Sequence, residues 1–160
     1  PEAATTIAPV RDIEIDEPHR TMLFEPRYLV GPDDEQECGA VEHGPVAVLT
    51  GSPEDPFLRL DPLFMRPCDP NDRAAEAALA HIAERVPAAA RQHVLESGDL
   101  LLFDNRRVVH GRTAYTARYD GTDRWLQKGF VSCSLRRMLV RNRRSRVIDP
   151  LEWNRIPVAD

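Results

Sequence analysis

No apolar run in this sequence approaches the ~20 residues that a membrane-spanning helix requires. The opening residues Pro1-Glu2-Ala3-Ala4-Thr5 lack the basic start and apolar stretch of a secretory signal. Cysteine is scarce. Cys38, Cys68 and Cys133 are odd in number and far apart, so they form neither a disulfide framework nor a zinc-ligand pattern. A reducing, cytoplasmic setting is the resulting expectation. Internal repeats and low-complexity tracts are absent too. Glycine is ordinary at 8 residues, but proline reaches 14, and such frequent punctuation argues against an all-helical bundle. What remains is one globular domain, 1–160, with 42% hydrophobic and 29% charged residues. At this length such a domain buries roughly 70% of its unfolded surface.

The net charge of −5 is unevenly spread. Residues 1–80 carry 6 basic and 17 acidic side chains, a net of −11, whereas residues 81–160 carry 15 and 9, a net of +6. A basic tail, about 136–160, gathers Arg136, Arg137, Arg141, Arg143, Arg144 and Arg146. It has no aromatic stacking platform beside it, and an acidic protein repels phosphate backbones, so no nucleic-acid partner is expected. A solvated face that pairs with the acidic half is the plainer reading.

One segment reads clearly as helix. Asp69-Pro70-Asn71-Asp72 supplies a cap and first turn, and the run from Arg73 to Val86 places Ala75, Leu79, Ile82 and Val86 on one face. Pro87 is expected to end it. Elsewhere the pattern is strand-like: Pro45–Thr50, His93–Glu96, Leu100–Phe103, Arg107–His110 and a long strand from Trp125 to Leu135. Ser97-Gly98-Asp99 and Asp104-Asn105 read as turns. Antiparallel strands with a helical insertion at about 70–87 suggest a sandwich or barrel.

Chemistry concentrates between Glu96 and Arg136. A strand delivers His110 immediately before Gly111, where the missing side chain lets another group approach closely. Fourteen residues on, Arg124 opens the next segment. An imidazole that can ligate a metal, with a guanidinium that can grip a carboxylate bidentately, suits a metal and a dicarboxylic acid. Alone, each has a plainer reading: a histidine before a glycine is commonly structural, and an arginine is commonly a surface ion-pair residue. His81 and His93 read as helix-surface and strand residues.

The stretch Gly98-Asp-Leu-Leu-Leu-Phe-Asp-Asn-Arg-Arg-Val-Val-His110-Gly-Arg112, with Arg118-Tyr-Asp-Gly-Thr-Asp-Arg124-Trp-Leu126, closely resembles the C-terminal portion of the clavaminate synthase-like Fe(II)/2-oxoglutarate oxygenases. The likeness extends more loosely through Gly44–Gly51, Leu58–Asp61 and the alanine-rich helix. It implies a mainly β fold, the double-stranded β-helix or jelly roll, of which this chain is the C-terminal part. It also implies hydroxylation of a free or carrier-bound amino acid, arginine-like by preference, of the kind found in antibiotic pathways. Fe(II), 2-oxoglutarate and O2 are the implied cofactor and cosubstrates. Carried over by position, His110 resembles the distal histidine of the iron site, and Arg124 resembles the arginine that pairs with 2-oxoglutarate. Lys128 stands where relatives often have arginine, a place from which it could help to hold a carboxylate of substrate or cosubstrate. Asp61 lies where hydroxylases of basic amino acids face the substrate side chain. The strand pair carrying iron and 2-oxoglutarate is expected over about 96–136.

The family's proximal His-x-Asp or His-x-Glu is missing. None of His19, His43, His81, His93 and His110 is followed at two positions by a carboxylate. One histidine does not hold iron firmly. His19 and His43 as substitute ligands are the weakest of the remaining options. The expectation is therefore that a missing N-terminal half, or a complementary chain, supplies the other ligands. A non-catalytic jelly-roll binding module that has lost its iron site is the alternative. A half barrel would expose apolar strand edges.

Overall fold

Asp72 starts the longest element. Its Oδ1 accepts the Ala75 N–H at 3.0 Å, capping helix α2, Arg73–Ala89. In the computed structural model, which describes residues 3–31, 42–129 and 131, Asp72 also binds Arg27 at 2.6 Å through Oδ2. The α2 face expected from spacing is the buried one: Ala75, Ala78, Leu79 and Ile82 lie in the core, and Val86 packs against it. The helix runs on past Pro87 through Ala89, where the sequence reading ends it. A proline removes one donor, but in the last turn the residues after it stay helical until Ala90 turns extended. A short helix α1, His19–Leu23, packs against α2 and buries Leu23 completely.

Among the described residues, eight short strands make the remainder. They are β1 Thr5–Pro9, β2 Tyr28–Val30, β3 His43–Val46, β4 Leu49–Ser52, β5 Asp55–Leu58, β6 Met65–Pro67, β7 Arg91–His93 and β8 Val108–Arg112. All pairings are antiparallel. One sheet has the order β7-β1-β8, a second β3-β2-β6, and β4 and β5 form a hairpin. The apolar run Pro45–Thr50, expected as one strand, is divided between β3 and β4. At the break, the Val48 N–H goes to the Leu23 carbonyl at 3.0 Å and the Val48 carbonyl takes the Arg59 N–H at 2.8 Å. The chain leaves one sheet there to start the hairpin. Val10, Leu23, Tyr28, Val48, Leu49 and Ile82 meet in the core.

The expected strand at His93–Glu96 forms earlier, as β7. Leu100–Phe103 carries no strand pairing, and Leu100 and Leu102 are 89% and 81% exposed. Pro1–Gly121 forms one compact unit and Thr122–Asp160 a second. In the second, residues 122–129 and 131 carry no helix or strand. The expected strand Trp125–Leu135 is thus not seen over its described part, and its remainder, with Cys133 and the basic tail, lies outside the described residues. Among the described residues no helix is long and apolar enough to cross a membrane.

Candidate active site

Strand β8 carries His110. It pairs with β1 in the register Ile7↔His110 and Thr6↔Gly111. A Cβ placed on Gly111 would stand 3.1 Å from Thr6 Oγ1, so the glycine accommodates a close neighbour, as the sequence implies. The His110 side chain is exposed, and its ring lies 5.2 Å from that of Phe103, tilted by 46°.

The segment before β8 is strongly tied. Asp104 accepts the Arg106 N–H on Oδ1 at 2.9 Å, and its carbonyl takes the Arg107 N–H at 2.9 Å, closing the turn the sequence anticipates. The Arg106 N–H bond to the carboxylate, and after it the Arg106 side chain, hold the Asp104 carboxyl below the usual carboxylate range. Arg106 and Arg107 both stand over the Phe57 ring, and Arg107 pairs with Asp55.

The other candidates have separate surroundings. Asp61 is exposed and closes its own turn: Oδ1 accepts the Leu63 N–H at 3.2 Å, and its carbonyl takes the Met65 N–H at 2.9 Å. Asp61 and His110 belong to the unit Pro1–Gly121, whereas Arg124 and Lys128 belong to the other. Arg124 is half-buried and Lys128 exposed.

His81 is not a helix-surface residue: its side chain is 13% exposed. Its ring stacks on His19, with centroids 4.3 Å apart and planes 17° apart, and its Nε2 accepts the Asp16 N–H at 3.3 Å. Sequence spacing gave no signal for that pair, because the two histidines come from different helices. Phe57, Asp55, Arg106 and Arg107 were also missed. The Arg106-Arg107 doublet was part of the quoted motif, but its aromatic partner is about fifty residues away in sequence.

The described residues alone do not fit an iron ion. No group of three or more His, Cys, Asp or Glu side chains that could hold a metal gathers among them. His110 offers one imidazole, and a non-haem iron site of this kind needs two histidines and a carboxylate.

Comparison with known proteins gives these donors a context. Residues 40–129 match the family model described as taurine catabolism dioxygenase TauD, TfdA family. The chain is 44% identical over 115 residues to the L-asparagine oxygenase of Streptomyces coelicolor, covering 72% of this chain and 34% of that protein. It is 34% identical over 158 residues to the enduracididine beta-hydroxylase of Streptomyces hygroscopicus, covering 83% and 46%. An asparagine oxygenase structure holding Fe(II), 3-hydroxyasparagine and succinate superposes with a TM-score of 0.71 and 35% identity, over 78% of this chain and 39% of that one. The non-heme iron oxygenase OrfP, with Fe and alpha-ketoglutaric acid, gives 0.64 and 36%, over 78% and 38%. The jelly-roll expectation holds. The chain spans about a third to a half of the length of the curated relatives named here.

Proposed function

This chain belongs to the TauD/TfdA dioxygenase family, and we propose that it is one portion of an Fe(II)/2-oxoglutarate-dependent oxygenase that hydroxylates a free or carrier-bound amino acid. The observation that carries the reading is the match over residues 40–129, which takes in β8 and Arg124 and whose named relatives act on asparagine and enduracididine. A polypeptide segment outside these 160 residues supplies the remaining iron ligands. The exposed Leu100 and Leu102 support this, because an apolar alternation without a ladder is what a half barrel leaves uncovered.

In the complete enzyme, iron, 2-oxoglutarate and O2 together supply the oxidising chemistry. This chain contributes binding and orientation. His110 offers one neutral imidazole nitrogen to the metal. Arg124 grips the far carboxylate of 2-oxoglutarate through its planar fork, a charge-assisted bond stronger than a neutral one. Lys128 adds a point charge toward a second carboxylate of substrate or cosubstrate. Asp61 faces a cationic substrate side chain, which favours an arginine-like amino acid. Its Oδ1 already serves the turn at Leu63, so Oδ2 is the atom that would take that cation.

The test uses the complete protein that contains this chain. With Fe(II), 2-oxoglutarate and an amino-acid panel led by arginine and asparagine, it should release succinate. His110→Ala should lose iron binding. Arg124→Ala should weaken 2-oxoglutarate by about 10- to 100-fold, the range for losing one charge-assisted grip. Unchanged 2-oxoglutarate affinity would remove Arg124 from the site. Iron-free, succinate-silent protein would replace the oxygenase reading with a non-catalytic jelly-roll binding module.

A further inference from the structure

Strand β8 encodes its own register only weakly, through Gly111, where a slip would set the Cβ of His110 or Arg112 about 3.1 Å from Thr6 Oγ1. Its first two residues, Val108 and Val109, are the same amino acid and both half-buried, and the next three, His110, Gly111 and Arg112, are exposed. Val109 packs against the core, and the one-residue slip that brings Val108 into its place exchanges valine for valine. The same slip turns His110 to the opposite face of the sheet, because side chains alternate with a period of two. The hydrophobic pattern is therefore indifferent to that slip, which would move the imidazole to the wrong side.

The residues just before β8 are not indifferent. The guanidinium carbons of Arg106 and Arg107 lie 4.4 and 4.6 Å from the centre of the Phe57 ring. Each is within the ~6 Å over which a cation is drawn to an aromatic face. The Arg107 guanidinium also pairs with Asp55, on the same strand as Phe57. The backbone repeats these ties: the Arg106 carbonyl accepts the Leu58 N–H at 2.6 Å, and the Arg107 carbonyl accepts the Val10 N–H at 2.8 Å. Phe57 has room for its seat because Gly51, with φ of +83°, faces it across the hairpin. A Cβ there would come within 3.3 Å of the ring. Beyond the far end of β8, Ala4 and Thr113 exchange two hydrogen bonds, at 2.9 and 3.0 Å. Gly111 lies between that tie and His110, so it constrains the imidazole less directly.

We propose that Arg106 and Arg107, closed over Phe57, are the register lock of β8: a positioning device that decides which face of the sheet His110 presents and keeps its ring beside Phe103. Its value for catalysis rests on the reading of His110 as an iron ligand. The register assignment does not.

The experiment is nuclear magnetic resonance on the full 160-residue chain, with cross-strand contacts between Ile7 and His110 reporting register. The ring-current shift that Phe103 imposes on the His110 imidazole is the second signal. Phe57→Leu keeps apolar bulk and removes the aromatic face, and Phe57→Tyr keeps both. Two exposed cation–π contacts are each worth a factor of roughly 2 to 5, so Phe57→Leu should lower the ratio of native to slipped register by about tenfold. A second set of His110 signals without the ring-current shift should then emerge, while Phe57→Tyr retains a single set. A single native set in Phe57→Leu overturns the proposal, as does equal disturbance by Phe57→Tyr. If Phe57→Leu melts the β4–β5 hairpin, the double variant Arg106→Gln/Arg107→Gln leaves the ring in place. It should give the same doubled signals, and one native set there is equally fatal. Loss of the oxygenase reading, seen as a complete protein that is iron-free and succinate-silent, or loss of the His110 ligand role alone, seen as iron retained by His110→Ala, would leave the register result standing.

Discussion

The two stretches on either side of residue 90 are built on opposite terms. Every fully buried apolar side chain among the described residues lies between Ala3 and Ile82. The large exposed ones, apart from Leu63, lie between Val94 and Val131: Leu100, Leu102, Tyr119 and Trp125 are each more than 80% exposed. Among the described residues, the first stretch has both α-helices and six of the eight strands. The second holds β7 and β8, whose strand ladder to the first runs through β1, while Arg106 and Arg107 tie it to the β4–β5 hairpin. The stretch that carries the proposed site residues His110 and Arg124 is thus not the one that makes the core. Its Leu100 and Leu102 lie in water, and the proposed roles of His110 and Arg124 fall within it.

The largest effect should come from testing that division by truncation. Ile82→Ala removes a fully buried side chain from α2 and should cost about 2–5 kcal/mol. Leu102→Ala should cost less than about 0.5 kcal/mol in this chain, because its side chain is already in water. Urea midpoints measure both. Comparable losses would mean that the two stretches share one core.

The same contrast sharpens in the complete protein. There Leu102→Ala should rise toward the cost of a core truncation, about 2 kcal/mol, once an added segment covers it. Trp125, now 86% exposed, should shift its emission to shorter wavelength. An unchanged Leu102 cost in the longer protein would sink the idea that this alternation awaits a strand.

How much was legible follows the same boundary. The α2 face could be read from spacing because helical period, cap and burial all agree: Asp72 caps it, and Ala75, Leu79 and Ile82 are buried. The turn at Asp104 was equally readable, since its bonds are local. The split of Pro45–Thr50 was not, because it depends on Leu23 and Arg59 taking the two backbone groups of Val48. Leu100–Phe103 reads as a strand from composition, but a strand needs a neighbouring ladder, and the described residues give it none. Of the candidate site, β8 and Gly111 could be placed from sequence. The clasp on Phe57 is invisible there, because nothing local links an arginine doublet to a ring in another hairpin.

A smaller effect, confined to the first stretch, should separate its core from the surface turns of the second. Tyr28 is fully buried, and its hydroxyl donates to the Ala75 carbonyl at 3.3 Å. Burial, and then the nearby Asp72 charge, push its ionisation up to about 12 from an ordinary value of 10. The unfolded chain therefore releases this proton first. The stabilisation from Tyr28 is complete below pH about 10 and is lost as pH rises through about 12. Tyr28→Phe should flatten that alkaline decline at a cost of about 1 kcal/mol near neutrality, the worth of one hydrogen bond. Thermal melting from pH 8 to 12 checks it, and an equal alkaline decline in both proteins would assign the loss elsewhere.

The smallest effects set one carboxylate in each stretch against the other. Asp72 is held below the usual carboxylate range by the Ala75 N–H first and by Arg27 second. Asp104 is held low by the Arg106 N–H first and by the Arg106 side chain after it. Both folded values are depressed, so each contribution is complete above the ordinary carboxylate midpoint near 4 and is lost as pH falls through the lower folded value. The consequences should differ in kind. Protonating Asp72 uncaps α2 and should fray its first turn, a small loss of helical circular dichroism. Protonating Asp104 should loosen the turn that feeds β8, moving the His110 resonances with no change in helix signal. Asp72→Asn keeps a capping side chain and should spare most of the helix signal, whereas Asp104→Asn should disturb His110 alone. If Asp104→Asn left His110 unmoved, the turn and the strand it feeds would be mechanically separate, and the Phe57 clasp would have to act on β8 without help from the carboxylate beside it.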